Sequence, residues 1–456
     1  MLCGQVFDRF VAKCPVTVMV RGLLERAFRP EALDQLFLGT AQRQYTKELL
    51  FSTTVELLAT VVCRIHPSVH SAYKDNEEDV GVSVRSLYDK LAATETGLSE
   101  ALVRHAAERL KPVLPLLKAT LPPYVKGYRT KVLDGNHLAA TERRLKGLRD
   151  AAAGALPGQT LVVLEPELQL ATDVYCCEDA HAQERSLLPR LLDRVAERDL
   201  WVADRNFCTT AFLVALAGKK AAFVIRQHGS TLSWEKEGRR KRVGRIDEGV
   251  VYEQRLWLND GEGGELEVRR VTLVPDEPTS DGDTEIHLIT NLPSRVSGKR
   301  VAQVYRKRWT IEQLFLSLTT VLKCELNTLP YPKAALFGFC VALAAANLLG
   351  TAKGSLRAAH GAEAAEQVSD YHLATQVAGT YQGMMIALPA EEWRPLGELA
   401  DEAFAQWLLG LARGVNLRRL RKEPRGPKKP RPRRTRFAGK KHIATSRLLD
   451  GYYDTK

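Results

Sequence analysis

Lys131-Val132-Leu133-Asp134-Gly135 is where this chain of 456 residues changes character. The run reads as a short buried strand that ends in an acid. Downstream of it, Leu161–Leu164 and Leu170–Cys177 predict two further strands, with Glu165-Pro166-Glu167 as punctuation. Glu184–Val195 reads as a helix, and Leu200-Trp201-Val202-Ala203-Asp204 as another apolar strand ending in an acid. Thr209–Ala217 reads as a helix and Ala221–Arg226 as a strand. Apolar strands alternating with helices argue for an α/β core whose strands are covered on both faces. From 227 to 285 the pattern is different. Turn residues separate alternating runs such as Val250–Leu258 and Leu266–Val271, which predict an antiparallel β insertion. Glu285–Asn291 resumes the core, one long helix is expected over Val301–Leu322, and 334–412 reads as helical.

Upstream, residues 1 to about 120 read as helical. Pro30 opens Pro30-Glu31-Ala32-Leu33 as a proline does in a first helical turn. Thr46 is placed to cap a helix running through Leu49, Leu50, Val55, Leu57 and Leu58. Ser83–Leu91 follows the turn residue Gly81, and Leu98–Leu117 forms a second amphipathic stretch. Two helices about a glycine turn are compatible with a helix-turn-helix, although a plain helical bundle explains them more simply.

Lys and Arg number 66 against 54 acids, a net charge of +12, but the excess is local. Between Arg413 and Lys441 there are 14 basic residues and one acid, Glu423, so the rest of the chain is close to neutral. Such a tail, with Pro424, Pro427, Pro430 and Pro432 among its arginines, cannot build a core and is expected to be mobile until a polyanion orders it. Apolar residues at 45% and charged residues at 26% exclude a largely disordered or collagen-like chain. Eight cysteines without a CxxC pair suggest neither a zinc ribbon nor a redox dithiol; reduced thiols in a cytosolic protein are expected, with Cys176 and Cys177 facing opposite sides of a strand. The opening residues are not those of a signal peptide. Ala334–Gly350 is apolar over 17 residues apart from Asn347, short of the roughly 20 that span a bilayer, so a buried helix and no membrane association are expected.

Three acids stand out by context. Asp134 and Asp204 end strands 70 residues apart, and Glu312 follows 108 residues later in Tyr305-Arg306-Lys307-Arg308-Trp309-Thr310-Ile311-Glu312. An Asp at a strand end is most often a turn or cap residue. Three carboxylates converging from adjacent strands and a helix, without His or Cys, suit a hard oxygen-seeking ion such as Mg²⁺ or Mn²⁺. Two such ions about 3.5–4 Å apart can activate an attacking oxygen and stabilise a leaving one in phosphoryl transfer. His137 is near enough in sequence to approach them, but oxygen ligands are favoured in such a site. Arg239-Arg240-Lys241-Arg242 lies in a loop of the insertion, as a phosphate contact or as solvated charge.

Around these residues the sequence resembles the DDE transposases of bacterial insertion sequences, in the group with a β-strand insertion between the second Asp and the Glu. The resemblance covers roughly residues 120 to 350. Its most specific part is YxxRxxxE, present as Tyr305, Arg308 and Glu312; Leu288-Ile289-Thr290-Asn291-Leu292-Pro293, Asp134-Gly135 and Ala203-Asp204-Arg205-Asn206-Phe207 are also family-like. It implies an α/β fold: an RNase H-like mixed-sheet catalytic core with an antiparallel β insertion, flanked by helical N- and C-terminal regions. The expected layout is a helical DNA-binding domain (1–125), the core in two parts (126–226 and 285–350), the insertion (227–284), a helical C-terminal domain (351–412) and a basic DNA-contacting tail (413–456).

The resemblance further implies metal-dependent cleavage and joining of double-stranded DNA, at element ends and target, with Asp134, Asp204 and Glu312 as catalytic and metal-holding residues for two Mg²⁺ or Mn²⁺ ions. Tyr305 and Arg308, seven and four residues before Glu312 along one helix face, are expected on DNA, with Trp309 packing. The family usually carries Lys seven residues after the Glu. That position is Thr319, and Lys323, one helical turn on, is the candidate to replace it. Arg418, Arg419, Arg433 and Arg434 are the tail's DNA-contact candidates. Joining two ends suggests a homodimer on DNA, in a bacterial cytoplasm at the nucleoid. A silent transposase-derived DNA-binding protein and a nuclease that cuts without joining remain the alternatives.

Overall fold

The structure is a computed structural model that describes residues 4–44, 48–142, 144–149, 153–229, 232–259, 264–279, 282–423, 426 and 442–451. Among the described residues twelve strands follow one another: β1 (Arg129–His137), β2 (Gly154–Leu156), β3 (Gln159–Glu165), β4 (Leu170–Cys177), β5 (Asp199–Ala203), β6 (Ala222–Arg226), β7 (Trp234–Glu237), β8 (Lys241–Ile246), β9 (Gly249–Asn259), β10 (Glu265–Pro275), β11 (Ile286–Thr290) and β12 (His442–Ala444). Ten of them form one sheet in the order β4-β3-β1-β5-β6-β11-β10-β9-β7, with β8 also paired to β9. The first three strands form an antiparallel meander, and β5 and β6 then run parallel to β1. The inserted strands do not form a separate lobe: β10 pairs with β11, so the insertion lengthens the same sheet.

Alternation along the strands sorts side chains to two cores. Leu133, Leu161, Val163, Trp201, Ala203, Phe223 and Ile225 pack on one face with Phe212, Leu213 and Leu216 of the helix Thr210–Gly218. Val132, Val162, Val174, Leu200, Val202 and Val224 pack on the other. That second core is continuous from Phe7 to Leu420, so helices from both ends of the chain share one layer over the sheet. Its axis is the helix Pro332–His360, 29 residues long and the one described helix long and apolar enough to cross a membrane; 83% of its most apolar window is buried inside the protein. The one polar side chain among 334–350, Asn347, is 1% exposed and completely used: its Oδ1 accepts from Ala171 N and its Nδ2 donates to Ala171 O, each at 2.8 Å. It ties the helix to β4 beside the register shift between β3 and β4.

Several local expectations hold. Pro30 starts the helix Pro30–Thr40, and the helix Val84–Ala93 follows a turn in which Gly81 takes the left-handed conformation at φ 66°. Cys176 and Cys177 face opposite cores. Thr46 lies outside the described residues, and the helix it is expected to cap starts only at Phe51, beyond Leu49 and Leu50. Four expectations need correction. Asp134 is inside β1, which continues to His137, rather than at its end. Glu184–Val195 is a 3₁₀ turn (Glu184–Leu187) followed by a short helix (Leu188–Leu192). The helix over Val301–Leu322 is two helices, Gly298–Arg306 and Trp309–Thr320, separated by a turn. Within the successive cations 306–308, the turn leaves Arg306 and Lys307 exposed and sends Arg308 inward. Finally, part of the tail is structured. β12 pairs in parallel with β2, the helix Thr445–Leu449 follows it, and Arg447 grips Asp179 through two nitrogens. The apolar residues Ile443, Ala444 and Leu448 give this end something to bury, unlike the arginine and proline run before it.

Candidate functional site

The site is set by strand register. β1 and β5 pair in parallel with Leu133 opposite Ala203, so the next residue on each strand brings Asp134 and Asp204 side by side. Asp204 is the first residue beyond β5. Both acids share parity with Val132 and Val202, so they point to the face that carries the two motif helices. Ile311 and Leu318 anchor Trp309–Thr320 in that core, and Val301 and Val304 anchor Gly298–Arg306. This packing lowers Tyr305, Arg308 and Glu312 over the two aspartates.

The contacts are specific. The Tyr305 hydroxyl donates to Asp204 Oδ1 at 3.2 Å. Arg308 Nη1 donates to Asp134 Oδ2 at 2.7 Å and Nη2 to Glu312 Oε1 at 2.5 Å. Asp134 Oδ1 also accepts from Gly135 N at 3.0 Å. The Arg308 side chain is 12% exposed, Asp134 20% and Glu312 34%.

Burial pushes the Asp134 carboxyl up to about 6; Arg308 and the Gly135 N–H oppose the rise, while Asp204 and Glu184 add to it. Burial pushes the Tyr305 phenol up as well, reinforced by the Asp204 carboxylate, so it stays a hydrogen-bond donor. For Arg308 burial works against the charge, but Tyr305, Asp134, Asp204 and Glu312 outweigh it and hold the guanidinium protonated. Four carboxylates, Glu184 included, against the guanidinium groups of Arg308 and Arg226 leave an excess of negative charge in a poorly solvated place.

The donor set is all carboxylate oxygen, which fits a hard divalent ion. Among the described residues no group of three or more His, Cys, Asp and Glu is gathered closely enough to hold an ion. Arg308 stands between Asp134 and Glu312 and takes the position of a cation.

Other expected residues are placed differently. The second motif helix ends at Thr320, so Lys323 is not on its face; its ammonium donates to Pro67 O at 2.5 Å. Thr319 is exposed and bonds the carbonyls of Phe315 and Leu316 in its own helix. Trp309, expected to pack, is 63% exposed. It lines an open cleft of about 520 Å³ with Tyr124, Arg300, Lys307 and Gln313. His137 is exposed at the end of β1. In the basic cluster, Lys241 and Arg242 begin β8, while Arg240 pairs with Glu285 and lies over the Tyr252 ring. Arg418 and Arg419 are exposed on a short 3₁₀ turn, Leu417–Leu420. Arg433 and Arg434 lie outside the described residues.

One carboxylate escaped the sequence reading. Glu184, in the 3₁₀ turn after β4, lies against the backbone of Gly135; a Cβ there would sit 2.0 Å from Glu184 Oε1. The glycine after Asp134 is the only trace of this approach in the sequence, because the partner is 49 positions away.

No curated protein matches the chain. A cryo-EM structure of the piggyBac transposase synaptic complex with hairpin DNA is similar over 92% of this chain and 88% of that one, at 11% identity and a TM-score of 0.41. Residues 133–348 match the family model of the transposase DDE domain. That match takes in Asp134, Asp204, Tyr305, Arg308 and Glu312.

Proposed function

We propose that the chain is a transposase of the insertion-sequence type that cuts the ends of a mobile DNA element and joins them to target DNA. The observation that carries this reading is the meeting of Asp134 and Asp204 on adjacent strands with Tyr305, Arg308 and Glu312 above them. The strand order β4-β3-β1-β5-β6, with the first three antiparallel and the last two parallel to β1, supports an RNase H-like core.

Asp134, Asp204 and Glu312 would hold two divalent ions, Mg²⁺ or Mn²⁺. When bound, such ions supply an activated attacking oxygen and stabilise the leaving one. The other side chains orient the substrate. Arg308 presents a planar fork that matches a phosphate bidentately. Tyr305 fixes the Asp204 carboxylate through its hydroxyl. The exposed Trp309, with Arg300 and Lys307 beside it, offers a stacking and phosphate-binding surface where DNA would leave the site. Arg418 and Arg419 add sequence-independent phosphate contacts from the C-terminal side. The need to hold two ends favours a dimer on DNA, and the resemblance to bacterial insertion sequences favours a place at the nucleoid of a bacterial cytoplasm.

A second reading, a silent DNA-binding descendant of a transposase, is favoured by one observation. Thr319 stands where the family has Lys, and Lys323 is engaged on Pro67 O. Incubating the protein with DNA from the flanks of its own coding region and Mg²⁺ or Mn²⁺ separates the two. Nicked and joined products that vanish in Asp134→Asn, with DNA retained, support the transposase. Absence of cutting by the wild type in either ion supports the silent protein, and cutting without joining supports a nuclease.

A further inference from the structure

We propose that Arg308 is a latch that makes divalent-ion loading depend on DNA: its guanidinium stands between Asp134 and Glu312 as a built-in cation until a phosphate draws it away. The inference deepens the reading of the site as a DNA-cleaving centre and rests on it.

Two of the three guanidinium nitrogens are committed, Nη1 to Asp134 and Nη2 to Glu312. The third, Nε, is buried without a hydrogen-bond partner among the described residues. A planar fork that bridges two carboxylates on different elements is rigid, and it fixes both acids in an arrangement in which they do not share an ion. A divalent ion among these oxygens would sit against a permanent positive charge only a few ångströms away, in a place where water screens little. Ion and guanidinium therefore compete for the same carboxylates.

A DNA phosphate changes the balance. It offers the fork a second bidentate partner and a home for Nε, while freeing Asp134 and Glu312 to take the ion. Because each ligand removes what blocks the other, the two bindings are linked, and linkage is reciprocal: DNA tightens the ion as much as the ion tightens DNA. Tyr305 does not release in this exchange, since its bond is to Asp204 and not to the acids that Arg308 bridges. Arg308 acts through the carboxylates it holds and is a positioning residue in this role. The latch would keep the protein from cutting until DNA is seated.

The test reads Mn²⁺ binding to the full chain by electron paramagnetic resonance of the free ion, with and without duplex DNA taken from the flanks of the coding region. Wild type is expected to bind Mn²⁺ weakly alone and about 5- to 150-fold more tightly with DNA, the usual range of a coupling between sites. Arg308→Gln is expected to bind Mn²⁺ more tightly than wild type without DNA and to lose the DNA effect. Arg308→Lys keeps the charge without the fork and is expected to retain part of the coupling. Thermal unfolding checks that each variant folds: Arg308→Gln should unfold at a lower temperature in EDTA and gain more from Mn²⁺ than wild type does. If Arg308→Gln or a folded Arg308→Lys shows wild-type Mn²⁺ affinity and wild-type coupling, the latch is overturned while DNA cleavage stands. If wild type takes up no Mn²⁺ even with DNA, the latch and the cleavage reading fall together.

Discussion

The central helix Pro332–His360 and the turn between the two motif helices each draw a polar side chain out of water, with opposite results. Asn347 finds a partner for its oxygen and one for its nitrogen in the backbone of a single residue, Ala171. Arg308 finds two carboxylates, leaves Nε without a partner, and sits in a surplus of negative charge. The first arrangement is complete and serves stability. The second is incomplete and holds acids together that would otherwise repel one another. Burial alone does not separate structure from function here; the degree to which the buried group is satisfied does.

The sharpest test of that contrast is to neutralise the acids. Asp134→Asn, Asp204→Asn and Glu312→Gln should each cut DNA cleavage by roughly 10⁴-fold, the scale seen when one member of a catalytic unit is removed. Retained cooperative unfolding would show that only chemistry was lost. In the central helix the pattern should invert. Phe337 is buried and stacks on Phe51 with ring centroids 5.7 Å apart, so Phe337→Ala should lower unfolding free energy by about 3–5 kcal/mol in urea titrations. Asn347→Leu leaves the Ala171 N–H and C=O without their partner and should cost about 2 kcal/mol.

A pH series sharpens the comparison further. In EDTA, the folded-state value of about 6 for Asp134 lies above the roughly 3.9 of an unfolded Asp, so the folded protein holds that proton more tightly. The contribution of this carboxyl to stability is then greatest below pH 4 and falls as pH rises from about 4 to 6, by on the order of 2 kcal/mol. Asp134→Asn should remove that slope, and an unchanged slope would assign it to other groups. The smallest effect belongs to the surface. Arg418→Ala and Arg419→Ala should weaken DNA binding for all sequences alike and each flatten the slope of log affinity against log salt by about one.

Much of this arrangement was legible because it is local. Alternating apolar runs gave β4 at its observed limits, and the inserted strands fell where turn residues bracketed them. The acids were legible from their place against the strands, with register then making Asp134 and Asp204 neighbours. The break at 307–308 was not, because helical spacing from Val301 to Leu322 is continuous, and the force that turns Arg308 inward comes from an acid 174 positions away. The same holds for Lys323, whose partner is 256 positions distant, and for β12, whose pairing strand precedes it by most of the chain. Glu184 was missed for a related reason, since its approach is written only in a glycine on another element.

The continuous core around Pro332–His360 has a consequence for how the chain is made. Val132 lies in that core with Phe337, which follows it by 205 residues. A ribosome adding roughly 5–20 residues per second leaves that face of the growing sheet without its central helix for about 10–40 seconds, covered meanwhile only by N-terminal helices such as Thr96–Leu110 on β4. During synthesis the nascent layer is therefore half built, with an oily gap along the path of the missing helix until the last third of the polypeptide arrives.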